Sequence, residues 1–126
     1  MQDLFNDRHD MARECFLKQF SGDFIAYNRG IFADPTISLR AKGLYAIMRG
    51  LSYYKKTPFE LDINDISKYA NISAELTYTL LNELKEKNLL YFQYDEANKS
   101  VLFCEVYESQ AQGDYALQER NNEMVE

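Results

Sequence analysis

The chain has one histidine, two cysteines and no apolar run long enough to cross a bilayer, which takes about 18 residues or more. Each shortage excludes something. His9 stands alone, with no metal ligand at helical spacing. Cys15 and Cys104 lie far apart, with no CxxC motif and no histidine pairing, so they read as two reduced thiols of a cytosolic protein. Gly30, Gly43 and Gly50 are scattered and form no phosphate loop. Carboxylates are plentiful, yet none forms a pair in an apolar setting that would tune it for acid–base work. Catalysis is therefore the least supported class, and neither a metal nor a cofactor is expected. The N-terminus carries Asp3, Asp7 and Asp10 in place of a basic-then-apolar signal. The expectation is a cytoplasmic protein that does not engage a membrane.

What is present suits one domain with tails. The 126 residues are 46% apolar, enough for a core. The formal net charge of −6 is unevenly placed. Residues 1–23 hold three basic and five acidic side chains, residues 24–107 hold ten of each, and residues 108–126 hold one arginine against five acids. The acidity lies in the flanks and the middle is neutral. DNA-binding domains are usually basic, because phosphate contacts supply much of the affinity. A neutral middle counts against strong non-specific DNA binding.

The stretch from Leu61 to Glu105 organises the rest. Asp62 can cap a short helix whose apolar residues Ile63, Ile66 and Ala70 fall on one side. Asn71-Ile72-Ser73 is short enough only for a turn, and Ser73 can cap a second helix from about Ala74 to Lys87. Leu76, Leu80 and Leu84 recur every four residues, with Thr77 and Leu81 beside them. Asn88 sits where a left-handed residue ends a helix. Leu90–Tyr94 and Val101–Val106 are rich in strand formers and are joined by the polar loop 95–99. Upstream, Phe59-Glu60-Leu61 reads as a one-turn strand. Helix, turn, helix and hairpin in that order read as a winged helix within an α+β fold: a three-helix helix-turn-helix core plus a β-hairpin wing.

The flanks fit around this frame. Ala12, Cys15, Phe16, Gln19 and Phe20 offer a narrow helical face in an N-terminal arm, 1–23. That arm either packs on its own domain or forms a homodimer contact. Phe24–Tyr27 is a β-like run closed by the turn residues Asn28-Arg29-Gly30. Ser38 caps a helix from Leu39 to about Leu51, with an apolar face of Leu39, Gly43, Leu44, Ile47, Met48 and Leu51. Gly43 on that face suggests a close approach. Lys42, Tyr45 and Arg49 fall opposite it, and Lys55-Lys56-Thr57-Pro58 makes a basic loop. The domain therefore spans 24–107. Residues 108–126 read as a flexible acidic tail, helical only near Tyr115 to Arg120.

These residues resemble a family. Phe24-Ile25-Ala26-Tyr27-Asn28, then Ile31 and Asp34, then Ile37-Ser38-Leu39-Arg40-Ala41-Lys42-Gly43-Leu44 are similar to the opening of the winged-helix domains of phage and plasmid replication initiators. Those are the replisome-organiser and DnaD-like N-terminal domains of low-GC Gram-positive bacteria and their mobile elements. Ile66-Ser67-Lys68-Tyr69 and the run from Leu80 to Leu90 resemble that family's second and third helices and first wing strand. The likeness covers about residues 24–107. It implies double-stranded DNA binding, in replication initiation or in gene control of a mobile element.

On a helical wheel, the outward arc of helix 74–87 holds Glu75, Tyr78, Thr79, Asn82, Lys85 and Glu86. Asn82 suits adenine, Glu75 can accept from cytosine, Tyr78 and Thr79 can reach a phosphate or a thymine methyl, and Lys85 a phosphate. Ser73 opens the same helix. Further phosphate contacts would come from Arg40, Lys42, Arg49, Lys55, Lys56, Lys68 and Lys99, with Asn98 beside Lys99 at the wing tip. The plain alternative for each isolated lysine is a solvated surface charge, and for Asn82 a surface helix residue, the commoner case; Lys55 and Lys56 suit either reading equally. The tyrosines 53, 54, 69, 78, 91 and 94 read as core edges, or as a protein interface if exposed together.

The leading expectation is sequence-specific duplex DNA binding by a small replication-associated protein or transcriptional regulator. The alternative is a winged-helix protein-interaction module without DNA binding, such as a phage-encoded inhibitor of a nucleic-acid enzyme. The charge map separates them. A basic strip leading to helix 74–87 favours DNA; a reading helix dominated by Glu75, Glu83 and Glu86 favours a protein partner.

Overall fold

The computed structural model describes residues 29–53, 55 and 58–125. The expected arm 1–23, the run Phe24–Tyr27 and Lys56 lie outside the described residues. In chain order the elements are α1 (Arg29–Phe32), α2 (Leu39–Ser52), β1 (Phe59–Asp62), α3 (Ile63–Ala70), α4 (Ala74–Glu86), β2 (Leu90–Asp95), β3 (Ser100–Val106) and α5 (Gln110–Val125). The fold is α+β, with one three-stranded antiparallel sheet in the order β1-β3-β2. This arrangement is compatible with a winged helix.

Capping residues set the helix starts. Ser38, Asp62 and Ser73 are extended, and their side chains accept from the amides of Ala41, Asn64 and Leu76, which satisfies donors that no helical carbonyl can reach. Asn71 ends α3 and Asn88 follows α4, both at φ 59°, the left-handed conformation that asparagine tolerates well. The hairpin β2–β3 turns tightly over 96–99. In β3, Phe103 is the extra residue opposite both neighbouring strands, with φ 52°. A bulge there bends the strand and turns the Phe103 ring outward, where it is exposed.

The core lies between the sheet and α2, α3 and α4. Leu44, Tyr45, Met48 and Leu51 meet Leu61, Ile63, Ile66, Leu80, Leu81, Leu84, Leu90, Phe92 and Val101. Each fully buried aliphatic side chain of this kind contributes about 1.5–3 kcal/mol.

The face that α2 buries differs from the one expected. Leu39 is 85% exposed, and a Cβ on Gly43 would meet nothing within 4 Å. Leu44, Met48 and Leu51 are buried as expected, but Ala41, Tyr45 and Arg49 are buried with them. The cause is the amphipathic character of two side chains. The Tyr45 ring is enclosed while its hydroxyl donates to the Tyr107 carbonyl, and the Arg49 stem packs while its guanidinium finds polar neighbours.

Beyond the hairpin, helix extends over Gln110–Val125, well past the few residues expected around 115–120. Its docking explains the extent. Gly113 lies so close to the Asn88 backbone that a Cβ would fall 1.5 Å from the carbonyl oxygen. The close approach expected at Gly43 occurs here. Asn88 Nδ2 donates to Asp114 at 2.6 Å, and Arg120 donates to the Tyr107 hydroxyl at 3.0 Å while stacking 3.7 Å above the Tyr91 ring.

Candidate functional site

Helix α4 is locked on one side and open on the other. Thr77, Leu80, Leu81 and Leu84 are buried. Thr77 also donates through its hydroxyl to the Ser73 carbonyl at 2.8 Å, so a polar residue is accommodated on the inner face. Glu75, Tyr78, Thr79 and Glu86 remain exposed and Asn82 is half-buried. The outward arc therefore holds Glu75, Tyr78, Thr79 and Glu86, with Asn82 at its edge, but not Lys85, which turns toward β2.

The first half of that arc faces the hairpin. Between them lies an open groove of about 550 Å³. Glu75, Tyr78, Thr79 and Ala74 form one wall, Tyr94, Glu96 and Lys99 the other, and Ile63 and Asn64 close the end. Tyr78 spans the joint. Its ring lies 4.7 Å from Tyr94 and 6.5 Å, edge-on, from Phe92. Tyr94, Glu96 and Asn64 join the groove without belonging to the set expected from the sequence. Tyr94 could have been in that set, since it shares the period-two face of Leu90 and Phe92.

The remaining candidates divide. Ser73 caps α4 through its hydroxyl at 3.1 Å from the Leu76 amide. Asn82 donates to the Tyr78 carbonyl at 3.2 Å. Lys85 is turned toward β2: its ammonium donates to the Phe92 carbonyl at 3.0 Å and lies over the Tyr91 and Phe92 rings. Asn98 closes the hairpin turn by donating to Asp95 at 2.8 Å. Lys99, at φ 54° in the same turn, is exposed and its carbonyl accepts from the Ile63 amide. Lys68 is exposed in the last turn of α3, just before the turn that leads into α4.

The other basic residues lie elsewhere. Lys42 and Lys87 both act on Asp34, whose carboxyl is held below its ordinary value chiefly by hydrogen bonds from Thr36. Lys55 follows α2, its amide bonded to the Leu51 carbonyl. Arg49 is only 5% exposed and lies beside Tyr53 and Glu108. A basic strip through Lys42, Arg49, Lys55, Lys56 and Lys99, of which Lys56 lies outside the described residues, is interrupted at Arg49, because the guanidinium is enclosed.

One acidic residue leaves the reading surface as well. The Glu83 carboxylate accepts from the Ser38 amide at 2.8 Å and its hydroxyl at 2.9 Å, tying α4 to the start of α2. The groove walls retain Glu75 and Glu96 against Lys99. Among the described residues no group of three histidine, cysteine or acidic side chains is placed to hold a metal ion, and no helix is long and apolar enough to cross a membrane. Comparison of the chain with protein-family models, with curated proteins and with solved structures finds no match.

Proposed function

We propose that this chain is a winged-helix protein that reads duplex DNA with α4 and the adjoining hairpin. The observation that carries the reading is the two-sidedness of α4. Its inner face is packed, while Glu75 and Thr79 are exposed and Tyr78, partly exposed, leans on a hairpin that continues the same surface. This is where a helix-turn-helix presents side chains to base edges. Glu75 would accept from a cytosine amino group, and Asn82 would pair with adenine after releasing the Tyr78 carbonyl. Lys68 and Lys99 would hold phosphates on either side. A role in replication or gene control of a bacterial mobile element rests on the likeness of Ile37–Leu44 and Leu80–Leu90 to replication initiators. Pairing of two copies through the arm 1–23 would double the contacts.

The charge map sets the strength. With two phosphate contacts per copy, the logarithm of affinity should fall with the logarithm of salt at a slope of about −1.8. Doubling the salt from about 100 to about 200 mM would then weaken one copy roughly 3.5-fold. Selection from random duplexes at both salt concentrations is the test. Enrichment of one motif by the native protein, and its loss in Glu75→Ala plus Asn82→Ala, is the expected result. Tyr78 is left intact because its ring joins α4 to the hairpin. Absence of an enriched motif, or undiminished selection by the double variant, would refute DNA reading.

A second reading has its own observation. Glu75, Glu86 and Glu96 are exposed, whereas Lys85 is engaged by β2 and Arg49 is enclosed. That surface suits a basic protein partner, as in an inhibitor of a nucleic-acid enzyme. Its signature is salt-sensitive capture of a host protein that Glu75→Lys abolishes.

A further inference from the structure

We propose a second site, remote from α4, that binds a phosphate dianion: a pocket built around Arg49. It opens where the end of α2, the end of β3 and the start of α5 meet, with a volume of about 370 Å³. Arg49, Ser52, Tyr53, Val106, Glu108 and Gln112 line it.

The argument starts from unmet hydrogen bonding. A guanidinium has five N–H donors and stays charged. Arg49 is only 5% exposed. Nevertheless its Nε meets no hydrogen-bond partner among the described residues. Its Nη2 makes one long hydrogen bond, 3.3 Å to the Tyr53 hydroxyl, and stands 4.0 Å from a Glu108 oxygen, beyond hydrogen-bond reach. A buried cation is ordinarily held by hydrogen-bonded partners. Nε is closed to solvent, so an oxyanion entering the pocket would meet Nη2 first and would reach Nε as well once the Glu108 side chain gives way, completing the fork that arginine offers phosphate.

The surroundings favour an anion. α5 begins at Gln110, so the positive end of a 16-residue helix lies at the pocket. The Glu108 carboxylate stands on this side, 4.0 Å from Nη2, and its side chain is half exposed. A dianion would displace it, and Glu108 has solvent to turn into. Tyr53 adds a hydroxyl at the rim, while that of Ser52 already donates to the Arg49 carbonyl.

The site is separate from the DNA reading. β3 runs from the groove at Lys99 to the pocket at Val106, a separation of roughly 20 Å at strand rise. The ligand is inorganic phosphate or the terminal phosphate of a small ester, recognised by the same donors.

The test is a thermal-midpoint titration of the full chain at pH 8 and constant ionic strength. Inorganic phosphate and glycerol 3-phosphate are the probes, with acetate as the monoanion control. A midpoint that rises with either phosphate and not with acetate is expected, and the more potent probe identifies the source. Arg49→Lys should weaken binding about tenfold or more, the value of losing a charge-assisted fork. Because Arg49 is buried, Gln112→Glu provides the second arm. Gln112 Oε1 accepts from the Glu108 amide, and Ser109 Oγ accepts from the Gln112 amide. Glutamate preserves that acceptor at a helix start that favours it, while placing a carboxylate beside Arg49. It should abolish the phosphate response with the fold intact, and Glu108→Gln should shift the response to lower phosphate. No response in the native protein, an equal response in Gln112→Glu, or acetate matching phosphate would overturn the proposal.

Discussion

Gly113→Ala sets two physical terms against each other. Alanine in a helix interior is better than glycine by about 1 kcal/mol, so an undocked α5 would be stabilised. In the structure, however, the new methyl carbon would lie 1.5 Å from the Asn88 carbonyl oxygen and 2.6 Å from its carbon. Both are backbone atoms of the turn that closes α4, and neither can swing aside. The helix must lift away or the turn must move. Lifting breaks the Asn88–Asp114 and Arg120–Tyr107 hydrogen bonds and the stacking of Arg120 on Tyr91. At about 1 kcal/mol for each hydrogen bond and about 0.5–1 kcal/mol for the stack, the loss is about 2–3 kcal/mol. The balance is a destabilisation of about 1–2 kcal/mol, or a fall in Tm of roughly 4–8 °C for a domain of this size. Amide exchange in 110–125 should quicken at the same time. Gln118→Ala, at an exposed position of the same helix, gains helix propensity without a clash and should leave Tm level or slightly higher. If Gly113→Ala instead raises Tm as Gln118→Ala does, the close approach of α5 to Asn88 is wrong.

Two further outcomes follow from single side chains. Glu83→Gln leaves one acceptor where the carboxylate now serves both the Ser38 amide and hydroxyl; it should cost about 1–2 kcal/mol in urea denaturation with an unchanged m value, and an unchanged midpoint would mean the tie between α4 and α2 contributes nothing. Burial pushes the Cys104 thiol from 9.0 up to about 12 and raises the Tyr45 hydroxyl as well. Both groups are held neutral by the fold. Their contribution is complete below pH 9 and is lost as pH climbs toward 12, because the unfolded chain releases those protons first. In a Cys15→Ser background, Cys104 should resist thiol reagents at pH 8 until denaturant is added; rapid labelling of the native protein would contradict its burial.

The parts of the fold legible in the sequence are those decided within a few residues. Ser38, Asp62 and Ser73 announce helix starts because a cap needs only a side-chain oxygen and an amide two or three positions on. Asn88 announces a stop because its conformation is a local preference. The hairpin follows from two runs of strand formers around a polar loop. The buried face of α2 was less legible. Tyr45 and Arg49 are amphipathic, and what covers them, Tyr107 and Glu108, lies about 60 residues away in the chain. The length of α5 is similar. Little in its composition favours a packed helix, and its docking depends on the absence of a side chain at Gly113 and on Arg120 finding Tyr91 and Tyr107.

The site was legible in outline and not in charge, and the difference bears on mechanism. The wheel placed Glu75, Tyr78, Thr79 and Asn82 outward, and they are there. Three charged residues that read as solvated are instead engaged by partners: Lys85 by the Phe92 carbonyl, Glu83 by Ser38, Arg49 by Tyr53 and Glu108. Counting charge along the chain cannot reveal this, because the count treats every ionised group as equally available to a ligand. Two exposed carboxylates, Glu75 and Glu86, then remain on α4, with Lys68 and Lys99 at its margins. A surface so composed cannot hold DNA by phosphate attraction alone, since two lysines release few counterions and the carboxylates oppose them. If α4 reads DNA, most of its discrimination must come from base edges, and useful affinity requires two copies on one duplex. Hence a single copy should show a shallow salt dependence, and joining two copies covalently should steepen the slope about twofold without altering the motif.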